Sequence, residues 1–320
     1  MEEFVELREG FFWGGLVCTL LNSLVFFTFV IFEEKRRPAW SPLNFAFTLS
    51  AFFFSLMFTL GVGIPADDLI GIPALCGIAG SLLFFFAASL IFLWSFITIH
   101  LYVRIVRNQE VTRVAPMVAF SYGGSVFAAT IPNIVPGFQF NGAFCMIPYD
   151  NVLWKISIGF FLSCALIGIF FWLCILYVVV AGYWDKKSKA KKAAPRPSVP
   201  SSPYHYSASY PYPPSPASHG DTEAVPSPPD ESDWKDKYLL VFRQFVFVTA
   251  FLLALLVLVG VHLGNLYSDP HLAALLECTT VCIICLDSFL VFGVNKQNFD
   301  LWRNFICARC CRRPAYSEIE

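Results

Sequence analysis

The sequence predicts an all-α membrane protein: a bundle of seven transmembrane helices with its N-terminus outside and a short amphipathic helix after the last span. Three observations predict this fold: the composition, the number of long apolar runs and the distribution of basic residues between them. Of the 320 residues, 57% are hydrophobic and only 14% are charged, against roughly a quarter charged in an ordinary soluble domain. A water-soluble fold does not bury that much apolar surface.

The apolar runs have the length of membrane spans. A helix needs about 20 residues to cross a hydrocarbon layer about 30 Å thick, because each residue adds about 1.5 Å. The fourth run is the weakest, since polar residues 121–125 lie in its first half and Pro132 lies near its end. The first run is not a signal peptide, because acidic residues precede it and no clear small-residue cleavage site follows. Seven runs result, at 11–32, 43–64, 75–104, 114–135, 152–183, 238–264 and 271–294.

Basic residues lie in alternate connections between the spans. The connections after the first, third and fifth spans contain Lys35 to Arg37, Arg104 to Arg113 and Lys186 to Lys192. The loops on the other side contain no Lys or Arg, while Arg303 and further arginines follow the last span. Short loops rich in Lys and Arg remain in the cytoplasm. We therefore expect a multi-pass plasma-membrane protein with its N-terminus outside and its C-terminus inside.

The chain divides into four segments by composition. Residues 1–183 contain the first five spans, residues 184–237 form a long cytoplasmic connection, residues 238–295 contain the last two spans, and residues 296–320 contain the amphipathic helix and tail. The middle of the long connection is dominated by Pro, Ser and Tyr. Such a composition does not bury enough apolar surface to offset backbone entropy, so we predict that this loop is disordered.

Two of the eleven cysteines fall at the outer surface. Cys76 begins the third span and Cys145 lies in the second outer loop. Both face an oxidising compartment, which predicts a disulfide that fastens this loop over the mouth of the bundle. The alternative is that both are unpaired small apolar residues. Most other cysteines lie within spans, where a thiol behaves as a small hydrophobe, and no metal-ligand spacing of Cys and His is present.

An amphipathic pattern follows the last span. Phe299, Trp302, Phe305 and Ile306 recur at helical spacing opposite polar positions, which indicates a helix lying on the inner leaflet. Three cysteines beside it are candidate palmitoylation sites, and the alternative is that they are free cytosolic thiols. They are Cys307, Cys310 and Cys311.

Ionisable residues inside membrane spans are energetically costly and mark candidate functional sites. Glu277 in the outer part of the last span and His262 near the outer end of the sixth are the candidates for a ligand pocket, because such a pocket opens outward. Asp287 and His100 lie nearer the inner side and are better placed for switching. The alternative for each is a structural hydrogen bond between helices.

The segment Trp94 to Val106 resembles the inner part of the third helix in the cyclic-AMP-receptor-like group of G-protein-coupled receptors, which is related to the secretin-like family. The segment Phe289 to Lys296, followed by Trp302, resembles the end of the seventh helix in the same group. This likeness covers the membrane part of the chain, about 80% of its length, and excludes the Pro-rich loop.

Several features depart from related receptor families. The Asp-Arg-Tyr triplet of rhodopsin-like receptors is absent, with His100 to Tyr102 near its place, and their Asn-Pro-x-x-Tyr element is replaced by Asp287 to Val291. The large ectodomain of secretin receptors is also absent. A light receptor needs a lysine in the middle of the seventh helix for a Schiff base with retinal, and the first lysine here is Lys296 at the cytoplasmic face. An opsin is therefore not expected.

The resemblance implies that an extracellular small molecule or peptide is sensed and that a heterotrimeric G protein is the intracellular partner. Its coupling and switch residues are expected to be His100, Tyr102, Arg104, Arg107, Arg243 and Asp287. No cofactor is expected, and the net charge of −1 does not suit a nucleic-acid partner. The alternative from another class is a transporter or channel, although no convincing internal repeat is present. The sequence places no nucleophile–base pair at one membrane face, so we do not expect an enzyme.

Overall fold

A computed structural model describes residues 2–36, 41–109, 113–134, 137–140, 143–147, 152–193, 270–294 and 296–310, and the single positions 246, 249, 253 and 257. Within these residues the regular structure is helical apart from one short hairpin, which confirms the all-α class. The elements in chain order are α1 (Glu2–Ile31), α2 (Ser41–Gly63), α3 (Ala66–Gly71), α4 (Pro73–Ile105), α5 (Ala115–Ile134), β1 (Gln139–Phe140), β2 (Cys145–Met146), α6 (Val152–Ala193), α7 (Pro270–Phe292) and α8 (Lys296–Cys310).

Six of the predicted spans correspond to these helices. The first to fifth spans correspond to α1, α2, α4, α5 and α6, and the seventh corresponds to α7; the ends differ by one or two residues except where α1 and α6 are longer. Among the described helices, α1, α2, α4 and α6 are long and apolar enough by composition to cross a membrane. The sixth span, 238–264, lies outside the described residues except for the positions 246, 249, 253 and 257, each of which is helical and exposed.

Two helices extend well beyond their predicted spans. α1 begins at Glu2, nine residues before the expected start of the first span, because acidic side chains in a first turn interact favourably with the helix dipole. α6 continues to Ala193, ten residues past the expected end of the fifth span. The lysines and alanines there are good helix formers, and the first proline after them is Pro195.

The chain divides into two compact units. One consists of residues 1–175 and 242–320, and the other of residues 176–241. The described part of the second unit is the end of α6, residues 176–193. The contacts below belong to the first unit.

Small residues allow close contact between helices in the first unit. A Cβ on Gly15 of α1 would lie 2.7 Å from Thr59 Oγ1 of α2, and one on Gly124 of α5 would lie 3.2 Å from the Phe92 ring of α4. A Cβ on Gly168 of α6 would collide with the ring of Trp94. Close backbone approach at small residues is how helices associate in lipid, where apolar surface alone provides no preference for another helix.

The outward surface of α1 is apolar and its inward surface carries polar groups. Trp13, Val17, Leu20 and Leu24 repeat every three or four residues, and each is more than half exposed. Asn22, in contrast, is only 2% exposed. This pattern, with apolar side chains outside and polar side chains inside, is expected of a bundle whose surroundings are lipid.

α8 packs on the inner end of α1. Trp302 Nε1 donates a hydrogen bond to Thr28 Oγ1 at 2.9 Å, and the Trp302 ring contacts the Phe32 ring edge to face, with centroids 5.3 Å apart. Phe305 packs on the same Phe32 ring. Phe299, predicted on the same apolar face, is 70% exposed and does not share this contact; in a bilayer its ring is left to contact lipid.

The corner between α7 and α8 depends on a glycine and a capping amide. Asn298 Nδ2 donates to the carbonyl oxygens of Phe292 at 2.7 Å and Gly293 at 3.2 Å. These carbonyls are at the C-terminal end of α7, where no intrahelical donor remains. A Cβ on Gly293 would lie 2.6 Å from the Phe289 carbonyl oxygen, so the turn excludes any larger residue.

Replacing Trp302 with Phe removes the donor to Thr28 while keeping most of the aromatic contact with Phe32. We expect a loss of about 1 kcal/mol in the free energy of unfolding, the net value of one hydrogen bond. Thermal unfolding in detergent measures it. Thr28→Val should cost a similar amount, and the double variant should cost less than the sum. Additive losses would show that the two side chains do not interact; Phe299→Leu is the control at an exposed position of the same helix.

Candidate functional site

The second outer loop is held to the bundle by a disulfide. Cys76, near the start of α4, is joined to Cys145 of β2, with an S–S distance of 2.01 Å and Cα atoms 5.4 Å apart. This is the pair that the sequence predicts. β1 and β2 form an antiparallel pair in which Phe140 lies opposite Cys145, so the disulfide holds a small hairpin that the sequence did not predict.

Buried aromatic side chains seat this hairpin between α2 and α4. The ring of Phe144 packs edge to face on Phe58 of α2, with centroids 5.8 Å apart. Phe138, directly before β1, packs on Phe84 of α4 and lies directly over Gly80. Both hairpin-flanking rings are under a tenth exposed. The hairpin therefore packs on the outer ends of α2 and α4 through the buried rings of Phe144 and Phe138.

Glu277, one of the two predicted ligand contacts, is buried. It lies in α7 and is 3% exposed, seven residues from the start of the helix and therefore about 10 Å along the axis from the outer end of α7. Its neighbour Cys278 is fully buried. His262 lies outside the described residues, so its place in a ligand pocket with Glu277 stays a prediction.

A polar cluster between α1 and α7 was not predicted from the sequence. Asn22 Nδ2 donates to the Cys18 carbonyl oxygen and to the Cys285 carbonyl oxygen of α7, both at 3.0 Å. Ser288 Oγ donates to Asn22 Oδ1 at 2.5 Å, and is also within 2.8 Å of the Cys285 carbonyl oxygen. The available signal was an amide residue in the middle of an apolar span, which in lipid requires a partner.

The predicted coupling residues on α4 separate into buried and exposed side chains. His100 is 5% exposed, whereas Arg104 and Arg107 are exposed. The ring of Tyr102 contacts Phe171 of α6, with centroids 5.0 Å apart. α4 ends at Ile105, and three residues later Asn108 has a φ of 52°. Its successor Gln109 donates its N–H to the Val103 carbonyl oxygen at 3.2 Å, so the chain turns back onto the end of the helix.

The remaining predicted residues are placed only in part. Asp287 belongs to α7, but its side chain is outside the described part of the structure, and Arg243 lies outside the described residues altogether. Of the three candidate lipidation sites, Cys307 is on α8 and exposed. Cys310 is the last residue of α8, without a described side chain, and Cys311 lies outside the described residues.

Comparison with solved structures identifies the architecture. The chain is similar to the crystal structure of squid rhodopsin, with a TM-score of 0.66 and 16% sequence identity; the match covers 98% of this chain and 88% of the rhodopsin chain. No protein-family model matches the sequence, and no curated protein matches it. At this identity the likeness shows the fold alone. The protein therefore has the seven-helix fold of rhodopsin, as the sequence predicted.

Loss of the disulfide is expected to destabilise the outer end of the bundle. The two cysteines are 69 residues apart, and releasing a loop of that size costs about 4 kcal/mol in the chain-entropy description. Cys76→Ser and Cys145→Ser should lower the unfolding temperature equally, and the double variant should be no worse than either. Cys164→Ala, at a free cysteine, is the control. An intact unfolding temperature in either serine variant would contradict a stabilising bond.

Replacing Asn22 with Ala leaves the Ser288 hydroxyl and the Cys285 carbonyl without their partner on α1. We expect a loss of about 1–2 kcal/mol in unfolding free energy, the upper range of interhelical hydrogen bonds in membranes. Ser23→Ala is the matched control, because the exposed hydrogen bond from the Ser23 hydroxyl to the Leu20 carbonyl oxygen stays within α1. Thermal unfolding of both variants in detergent measures the difference. Equal stability of the two variants would show that the cluster contributes nothing.

Proposed function

We propose that this protein is a G-protein-coupled receptor of the plasma membrane, which passes an extracellular signal to a heterotrimeric G protein by rearrangement of its helices. The proposal is supported by the likeness of the fold to that of rhodopsin, together with the chemical difference between the two ends of the helix bundle. One end carries a disulfide-held hairpin, and the other presents exposed arginines. A disulfide persists in an oxidising compartment, which supports placing the hairpin outside and the arginines in the cytoplasm.

The ligand is expected to reach the bundle from the hairpin end and to contact Glu277 and His262. Glu277 supports this role because a carboxyl group is costly inside a membrane span and is retained where it binds or switches. The buried rings of Phe138 and Phe144, which pack on α4 and α2, support a role for the hairpin as a cover beside such a pocket. A small molecule or a short peptide suits a site of this kind.

The G protein is expected to contact the inner end of α4. Arg104 and Arg107 are exposed there and accessible to an acidic partner surface, whereas His100 and Tyr102 are packed within the bundle and suit a switch. Arg243 and Asp287 are expected to act with them. An agonist shifts the equilibrium between an inactive and an active conformation only by the difference between its affinities for the two conformations. In the active arrangement, the inner ends of the fifth and sixth spans are expected to part.

The finer placement in the cyclic-AMP-receptor-like group depends on the motifs of the third and seventh helices alone. The likeness to rhodopsin concerns the fold and adds nothing to that subgroup. It also does not extend to light detection, because α7 contains no lysine and Lys296 begins α8. Cys307, Cys310 and Cys311 are proposed as palmitoylation sites, supported by the exposure of Cys307 on a helix expected to lie on the inner leaflet.

Nucleotide exchange tests the proposed function. The protein is reconstituted in liposomes with a panel of purified G-protein α-subunits, and a metabolite library that includes cyclic AMP is added. Exchange above that of empty liposomes would establish receptor activity and identify the ligand class. If correctly oriented protein with its disulfide intact gives no exchange, and the same liposomes show substrate flux or current, the transporter or channel alternative replaces the proposal.

Replacing Arg104 and Arg107 with Ala should abolish stimulated exchange without loss of surface expression, because it removes the exposed cations that face the G protein. We expect a fall of at least tenfold in the exchange rate at saturating agonist. Lys155→Ala, at an exposed position near the outer end of α6, is the matched control and should retain full exchange. Normal coupling by the double variant would exclude these two arginines from the contact surface.

A further inference from the structure

Arg8 lies at the outer end of α1, in the two turns that precede the predicted first span. It is half-buried, although it stands in a segment rich in exposed acidic residues such as Glu6 and Glu9. Next to it, Phe12 packs on the end of α2, where a Cβ on Gly63 would lie 3.0 Å from the Phe12 ring. At Arg8 and Phe12, α1 therefore lies against the outer end of α2.

The guanidinium of Arg8 satisfies the end of α2. Its Nη2 donates to the Val62 carbonyl oxygen at 2.9 Å and also to the Ile64 carbonyl oxygen. These carbonyls belong to the last turn of α2 and the residue after it, where the helix itself provides no donors. α2 has no basic residue in its own last turn, so the cation that favours a helix C-terminus comes from a different helix.

The same guanidinium contacts the hairpin. Arg8 Cζ lies 5.4 Å from the centroid of the Phe140 ring, within the range of a cation–π interaction. Phe140 pairs directly with Cys145, which the disulfide joins to Cys76 of α4. One side chain of α1 is thus in contact with the end of α2 on one side and with the covalently held loop on the other.

We propose that residues 8–12 of α1 form a strap against the outer end of α2 and the hairpin, and that Arg8 is its latch. The latch couples α2 to the disulfide-held hairpin, so that neither moves outward unless Arg8 releases one of its two partners. Arginine suits this task because its planar group donates hydrogen bonds in its plane and stacks on an aromatic ring with its face, which a lysine ammonium does not do in one geometry. The latch depends on these contacts and not on the proposed function.

Hydrogen–deuterium exchange of the full chain in lipid nanodiscs tests the coupling. Arg8→Ala should accelerate amide exchange about tenfold or more in two separate segments, 60–64 and 138–147, because the variant loses two charge-assisted hydrogen bonds and the ring contact together. Phe140→Leu should accelerate exchange in the hairpin alone. Arg8→Lys keeps a donor for the carbonyls and should preserve 60–64 while loosening the hairpin. Glu9→Gln, one residue away and exposed, should change neither segment.

The two segments report separately on the two partners of Arg8. Acceleration of both in Arg8→Ala, with unchanged exchange at the corner between α7 and α8, supports the latch. Acceleration of one segment only, or of neither, overturns the coupling. If Arg8→Ala does not fold, Phe140→Leu and Arg8→Lys provide the test. Faster amide exchange in the hairpin but not in residues 60–64 supports the proposal. Unchanged hairpin exchange in both variants overturns it.

Discussion

Helices surrounded by lipid gain nothing from burying apolar side chains against each other, since the acyl chains are equally apolar. The remaining sources of association are close packing and hydrogen bonds between helices, and this bundle uses both. Polar side chains inside it bond across helix contacts instead of avoiding them. The pairs run from Asn22 to Cys285 and Ser288, from Thr19 to Thr59, from Tyr122 to Ser50, and from Ser95 to the Cys164 carbonyl oxygen.

Those hydrogen bonds depend on glycines at the helix contacts, because a larger side chain there would hold the helices apart. The Thr19 and Thr59 hydroxyl oxygens lie 3.0 Å apart beside Gly15, which has no room for a Cβ. The bond between Ser95 and Cys164 lies near Gly168, whose surface is covered by the Trp94 ring. Small residues and polar residues therefore act together. The small residues allow two helices to approach closely, and the hydrogen bonds between polar side chains require that close approach.

The two ends of the bundle are built differently, in a way that fits a signalling protein. At the hairpin end a disulfide, inward-facing rings and the Arg8 contacts hold the connections together. At the opposite end α8 is fixed by hydrogen bonds through Trp302 and Asn298, while Arg104 and Arg107 project from the end of α4. In the function proposed above, the ligand would act at the hairpin end and the protein partner would bind at the basic end.

Most of the architecture was predictable from local sequence. The apolar runs predicted α1, α2, α4, α5, α6 and α7 to within a few residues, except where α1 and α6 extend through polar sequence that favours a helix; the short helix α3 was not predicted. The disulfide pair followed from the position of two cysteines on one side. The hairpin did not follow, because strands of two residues leave no periodicity, and neither did Asn22 or Arg8, whose importance depends on what lies opposite them.

By itself the sequence determined what depends on a single segment: whether a run is long and apolar enough to cross a bilayer, which connections are basic, and which face of α8 is apolar. Bilayer thickness and helix geometry are the same for every protein, so length and composition suffice for these. Only the tertiary structure decided which polar atoms meet. Asn22 with Ser288 and Arg8 with Val62 and Phe140 are separated by many residues in sequence, and each partnership exists only because packing brings the helices within hydrogen-bonding distance.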